Sequence, residues 1–293
     1  MNLTTQILII WFGLITAASA QVKANDPLLS LNHFFVVVDE TTYQDIQDNA
    51  FLKNTFAITQ SRTTIRNDTE YSGFYVYGEN TYFEIITKSL GTWQSGIFLS
   101  GDDEEDLERV KENNLPHLYI SSKPVTREFE GEQIPWFVTA GNFEYPMASQ
   151  LGFGIMEYHP QYLAQYYPDI EPQSRGVSRK EVLTRYAAIE GVSQSDRIFG
   201  NVVGITIAAS PVERRALGRI FESLGFTPTA TSNESILTGN NFELKILPRT
   251  NSISKITAVK LQLNRENTEE VTLEFGASSS LEISTNGMAY WRF

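Results

Sequence analysis

Three histidines, His33, His117 and His159, and two glutamates on apolar segments, Glu84 and Glu157, are the residues of this 293-residue chain whose type and setting suit chemistry. Glu84 lies in Thr81-Tyr82-Phe83-Glu84-Ile85-Ile86-Thr87 and Glu157 in Phe153-Gly154-Ile155-Met156-Glu157-Tyr158. An ionised carboxylate on such a strand is expensive to bury unless it is paired, binds a metal or faces water, so both are candidate catalytic carboxylates. His33 sits in Asn32-His33-Phe34-Phe35-Val36-Val37-Val38 and reads either as a hydrogen-bonded core histidine or as a ligand in a polar cleft. His159 follows Glu157 by two residues and shares its face if the strand continues past Tyr158, although Pro160 comes next. His117, after Pro116, opens a returning strand and is a further candidate for the lining of a cleft. Tyr75, Tyr77, Tyr82, Trp93 and Trp136 are placed to stack on a planar or apolar ligand, and Arg62 to neutralise an anionic one.

Composition narrows the chemistry. With 23 basic against 35 acidic residues the chain carries a net charge of −12, and the basic residues are scattered along it. Neither nucleic acid nor an anionic membrane surface is an expected partner, because both need a basic face. The absence of cysteine excludes disulfides, thiolate zinc sites, iron–sulfur clusters and cysteine nucleophiles. No Gly-x-x-x-x-Gly-Lys phosphate loop, Gly-x-Gly-x-x-Gly turn or Gly-x-Ser-x-Gly elbow occurs, and no Ser stands beside a His. The acidic run Asp102 to Asp106 reads as a solvated helix start, and Asn67 and Asn233 head Asn-x-Ser/Thr triplets.

The elements that must position these residues begin after a leader. An apolar run from Ile7 to Ala18 ends in Ala18-Ser19-Ala20 before Gln21, which reads as a secretion signal over 1–20, although Met1 to Gln6 carries no Lys or Arg. The run is shorter than the roughly 18 apolar residues of a spanning helix, so the expected mature protein is secreted or periplasmic and free of the membrane.

From Leu31 the pattern runs strand, helix, strands. Asp39-Glu40-Thr41-Thr42 offers caps for a helix carrying Tyr43, Ile46 and Ala50; alternating segments Thr59 to Arg66 and Ser72 to Tyr77 follow, and Thr81 to Thr87 closes the unit. The grammar repeats from Gly96 to Tyr158, with Asp102 and Glu105 spaced as a capping box ahead of Leu107 and Val110. A connector over 161–199 contains a helix from Arg179 to about Ala188. A third unit opens at Val202, with Ser210-Pro211 starting its helix, and closes at Phe242 to Ile246. A degraded fourth unit begins at Ile256, where Thr268 to Val271 leaves room for one helical turn at most. The expected class is therefore α+β, with paired βαβββ modules over 27–160, the connector, and a second, degenerate pair over 200–293.

Repeated βαβββ units with a His on the first strand and a Glu on the last resemble the vicinal oxygen chelate superfamily, which includes glyoxalases, extradiol dioxygenases and bleomycin-resistance proteins. The stretches Tyr77-Gly78-Glu79-Asn80-Thr81-Tyr82-Phe83-Glu84 and Met156-Glu157-Tyr158-His159-Pro160 are similar to those of exported bacterial glyoxalase-like proteins with no assigned activity. The resemblance implies a concave cleft with four ligand positions, which fall here on His33, Glu84, Gly96 and Glu157. Three can bind metal, so it implies a divalent ion (Zn, Fe, Mn, Co or Ni) held by His33, Glu84 and Glu157, with the two glutamates catalytic and an open position for a substrate oxygen. Lyase, isomerase or hydrolase chemistry would follow. Gly96 departs from the pattern and favours a rival reading, a metal-free protein that binds or sequesters a small molecule; a third is an interaction domain with a vestigial cleft. In the second pair Val203 and Glu243 match His33 and Glu84, which implies a structural role or a partner surface for 200–293. Four modules in one chain suit a monomer, with a homodimer as the alternative.

Overall fold

The computed structural model describes residues 27–293 apart from 143–144, 147, 167–175, 231–233 and 267–268. The expected leader, Asn233 and Thr268 lie outside the described residues. The first half is built from β1 (Ser30–Val37), α1 (Glu40–Asp48), β2 (Ile58–Ile65), β3 (Glu70–Tyr77) and β4 (Tyr82–Ile86), then β5 (Ser95–Ser100), α2 (Asp106–Asn113), β6 (Leu118–Ile120), β7 (Val125–Phe129), β8 (Glu132–Asn142) and β9 (Leu151–Tyr158). The connector carries α3 (Tyr162–Tyr166) and α4 (Arg179–Ile189). The second half runs β10 (Phe199–Ala209), α5 (Pro211–Ser223), β11 (Thr227–Ala230), β12 (Ser235–Gly239), β13 (Phe242–Pro248), β14 (Lys255–Leu263), β15 (Val271–Phe275), β16 (Ser279–Ile283) and β17 (Met288–Arg292).

These strands form two mixed sheets. The first is ordered β2-β3-β4-β1-β5-β9-β8-β6, with β7 also on β8, and the second β11-β12-β13-β10-β14-β17-β16-β15. Where a helix intervenes the closing strand lies parallel to the opening one, as β4 to β1, β9 to β5 and β13 to β10. A parallel return needs a long crossover, usually helical. No helix separates β14 from β17 among the described residues, and that pair is antiparallel.

Local signals explain most helix starts. Asp39 caps α1 by accepting from the Thr42 amide at 3.0 Å, and Ser210 with Glu213 closes a capping box around Pro211 at the head of α5. The box expected from Asp102 and Glu105 does not form. Asp102 instead accepts from Arg179 of the connector at 2.7 and 2.9 Å, and Asp106, buried rather than solvated, accepts from the amides of Asp102 and Asp103 at 2.9 Å.

The sheets face each other across a shared core. Phe34, Val36, Phe83, Ile85, Ile97 and Leu99 of the first meet Ile207, Leu244, Ile246, Val259, Leu261 and Trp291 of the second, and Ile46, Leu107, Val110, Leu217 and Phe221 bring α1, α2 and α5 into the same cluster. At the centre the Phe34 and Phe83 rings stack at 4.9 Å, Phe83 meets Trp291 edge-on at 5.4 Å, and Trp291 Nε1 donates to Ser279 Oγ at 2.9 Å. Each such side chain contributes about 1.5–3 kcal/mol by leaving water. Because one aromatic cluster serves both sheets, Trp291→Ala should cost about 3–5 kcal/mol and the halves should still unfold together. Urea titration followed by far-UV dichroism and tryptophan fluorescence checks this; two separate transitions would contradict the shared core.

Candidate functional site

The outer face of the first sheet is where the sequence places its chemistry, and alternation fixes which residues reach it. Phe34 and Val36 of β1 point into the shared core, so His33 and Phe35 point out. The parallel register sets His33 beside Tyr82 and Phe35 beside Glu84, and the antiparallel one sets Phe35 beside Gly96. Tyr75 and Tyr77 of β3, Tyr82 of β4, Trp136 of β8 and Met156 and Tyr158 of β9 complete a largely aromatic face. This face is covered by the connector: Tyr162 and Leu163 of α3 and Val182, Leu183, Tyr186 and Ala187 of α4 pack onto it as a second core.

Under that cover lies a cluster of charges. The guanidinium of Arg62 sits 4.0 Å above the Tyr75 ring and 5.2 Å from that of Tyr186. Its Nη1 donates to Gln60 at 3.2 Å, whereas Nε and Nη2 are shielded from water without a hydrogen-bond partner, as is Nε1 of Trp136. Arg127 donates to the hydroxyls of Tyr162 and Tyr186 at 3.1 and 3.0 Å, and these phenols lie 2.8 Å apart. Glu84 is 2% exposed. Burial raises its carboxyl pKa from 4.5 to about 7 against the pull of Arg62 and the hydrogen bonds of Tyr71 and Tyr75. Tyr186 moves the other way: burial opposes ionisation, but the charges of Arg127 and Arg62 hold the phenol below its ordinary value of 10. Two guanidiniums thus lie close to one carboxyl that burial pushes toward its neutral form.

His33 is held as a neutral ring. It stacks between Tyr82 and Phe98, each at 4.6 Å, and its Nδ1 lies 2.8 Å from Asn32 Oδ1. Burial, with the charge of Arg66, lowers its pKa from 6.5 to about 3.

His33, Glu84, Arg62, Tyr77 and Trp136 thus share one face, as the sequence suggests, but Glu157 does not. Its carboxylate turns to the helix side of β9 and accepts from the amides of Glu105 and Leu107 at 3.3 and 3.0 Å, closing the N-terminus of α2. Gly96 is overlain by Phe35, whose ring would meet a Cβ there at 2.5 Å. His159 accepts from the Gln161 amide beyond the end of β9, and His117 is exposed in the turn before β6. The expected metal set of His33, Glu84 and Glu157 is therefore split between two faces, and among the described residues no three His, Asp or Glu side chains gather at metal-binding spacing. Sequence reasoning missed Arg127, Tyr162 and Tyr186. The signal for the last was present in α4, where Val182, Leu183, Tyr186 and Ala187 recur on one helical face.

Stacked mixed sheets, repeated units and a covered aromatic face define an α+β protein of two linked halves. The chain belongs to the family described as "Family of unknown function (DUF5829)", whose model matches residues 31–293. No protein of curated function matches it. Among solved structures it is similar to a hypothetical protein from Staphylococcus aureus, at 9% identity and a TM-score of 0.54 over 84% of this chain and 95% of that one. It also matches a xylose isomerase-like TIM barrel/4-hydroxyphenylpyruvate dioxygenase fusion protein, at 10% identity and a TM-score of 0.42, over 79% of this chain and 37% of that one. The former likeness shows the fold alone. Among the described residues no helix is long and apolar enough to cross a membrane.

The two buried groups act oppositely on stability. Glu84 is favoured protonated, so its contribution is full below the ordinary 4.5 and is lost as pH rises through about 7. His33 is favoured neutral, so its contribution is full above 6.5 and is lost as pH falls through about 3. Glu84→Gln should therefore gain about 2–3 kcal/mol on the wild type between pH 5 and pH 8, read from urea midpoints at the two pH values. A difference independent of pH would show that Glu84 is ionised throughout.

Proposed function

We propose that this chain is a metal-free small-molecule-binding protein of the glyoxalase-like fold, whose first cleft takes a small planar organic anion beneath the α3–α4 cover. The strand order of the first sheet, with two opening strands side by side at its centre and each closing strand parallel to its own opener, supports the paired βαβββ reading. The observation that carries the ligand class is Arg62, whose two shielded N–H groups lack acceptors next to a second guanidinium and the unpartnered indole N–H of Trp136. Buried donors without acceptors are costly, and a carboxylate supplies the acceptors. Tyr75, Tyr77 and Trp136 offer rings for a planar ligand to stack on. In the covered state Tyr186 occupies the position between the guanidiniums, and an incoming anion takes its place as α4 lifts. Lifting α4 exposes several apolar side chains, so observed affinity falls short of intrinsic affinity by that population cost.

A divalent-metal lyase, isomerase or hydrolase finds less support, since the Phe35 ring takes the place beside Gly96 and Glu157 serves α2. The apolar leader and Ala18-Ser19-Ala20 support export of a mature chain that begins at Gln21.

Planar carboxylates such as benzoate and 4-hydroxybenzoate should raise the thermal midpoint, the corresponding amides should not, and Arg62→Met should weaken carboxylate binding by about 10–100-fold. Binding unchanged in Arg62→Met would overturn the site, and no stabilisation by any carboxylate would leave the cleft vestigial.

A further inference from the structure

Where Ser30 and Leu31 of β1 and the β3–β4 turn of the first half meet β10, β13 and β14 of the second lies an open cavity of about 400 Å³. It lies over Val203 of β10, between the β3–β4 turn, the β12–β13 turn and the head of α4. The cavity falls within the usual size range of small-molecule sites. Its polar lining consists of side-chain amides. Those of Asn80, Asn241 and Gln262 make no hydrogen bond to other described residues, and Asn201 uses only its oxygen, accepting from the Asn80 amide N–H at 2.8 Å. Arg179 is the charged residue of the lining, and its guanidinium is already engaged. Nε and Nη2 donate to Asp102 at 2.9 and 2.7 Å, and Nη1 to the Leu31 carbonyl at 2.6 Å.

The walls are fixed before any ligand arrives. Asn240 and Asn241 both adopt left-handed backbone, at φ 50° and 56°, as a tight hairpin turn requires. Asn240 holds that turn to the chain before β1 by donating to the Leu29 carbonyl at 3.1 Å and to Ser30 Oγ at 3.0 Å. The opposite wall is docked on β10, where the Glu79 amide donates to the Gly200 carbonyl at 2.7 Å and the Val202 amide to Thr81 Oγ1 at 2.7 Å.

We infer that this cavity is a binding site for a neutral, hydroxyl-rich ligand, a saccharide unit. A side-chain amide both donates and accepts, and so does a hydroxyl, so a set of amides without internal partners matches a ring of hydroxyls. An ionic ligand would be stripped of water with no free countercharge, since the charge of Arg179 is spent on Asp102. Val203, with the buried Leu31 and Phe242, provides an apolar floor for the C–H face of a pyranose.

The test titrates the full mature chain with glucose, galactose, N-acetylglucosamine and their β1,4-linked disaccharides at millimolar concentration, read by saturation-transfer NMR and calorimetry. Asn241→Gly keeps the left-handed turn while removing the amide, and Gln262→Met keeps the side-chain length on an exposed strand position. At least one sugar should bind, each variant should weaken it by about tenfold with the thermal midpoint unchanged, and Arg62→Met should bind it as the wild type does. No binding by any of these sugars, or binding that survives the double variant, would overturn the assignment and leave a water-filled crevice. The Arg62→Met control separates failure here from failure of the anion site.

Discussion

The contact of Phe83, stacked on Phe34, with Trp291 joins the two sheets face to face, and the placement of everything else follows from it. Once the inner faces are spent on each other, α1, α2 and α5 must pack around the same core, and the two outer faces are left to be covered or to face water. These differ in character. The first carries Tyr75, Tyr77, Tyr82, Trp136 and Tyr158 and needs a cover; the second carries Lys245, Lys260, Gln262 and Arg292 and can face water. The connector resolves the difference by laying α3 and α4 over the apolar face alone. Arg179, at the head of α4, ties that cover to Asp102 of the first half and also helps to wall the cavity where the two halves meet.

Charge under the cover is arranged by opposing forces of similar size. Burial drives Glu84 toward its neutral form, while Arg62 beside it favours the carboxylate, and the balance falls near neutral pH. Tyr186 feels the same burial, and there the charges of Arg127 and Arg62 outweigh it.

Features set by neighbours in sequence were legible, and those set by distant partners were not. Strands such as Ser30–Val37 and Leu151–Tyr158 show as apolar runs, and the Ser210-Pro211-Glu213 start of α5 is complete within four residues. The Asp102–Glu105 box had the same local form, yet Asp102 is drawn away by Arg179, 77 positions later, and the cap comes from Glu157. Parity along β9 correctly separates Glu157 from Met156 and Tyr158, but parity alone does not say which set faces the core. Both faces of this sheet are covered, so the burial signal that would decide is weak in the sequence. Arg127 and Tyr186 come from segments 59 residues apart, and no local pattern joins them.

The glycines of β5 and β9 set how aromatic rings pack on the outer face of the first sheet. Gly96, Gly152 and Gly154 have no Cβ, and the rings of Phe35, Trp93 and Phe98 lie directly on the backbone where side chains would stand. A metal ligand at the Gly96 position would have to displace the Phe35 ring, and with it the packing beside Glu84, since the register sets Phe35 between the two. Rings lying flat also hold His33 in a stack whose planes deviate by only 16° and 5°, with the imidazole neutral and its Nδ1 committed to Asn32. Packed rings therefore act twice: one covers the Gly96 position and two others immobilise His33. What that packing leaves on the face is stacking surface and guanidinium charge rather than a set of metal donors.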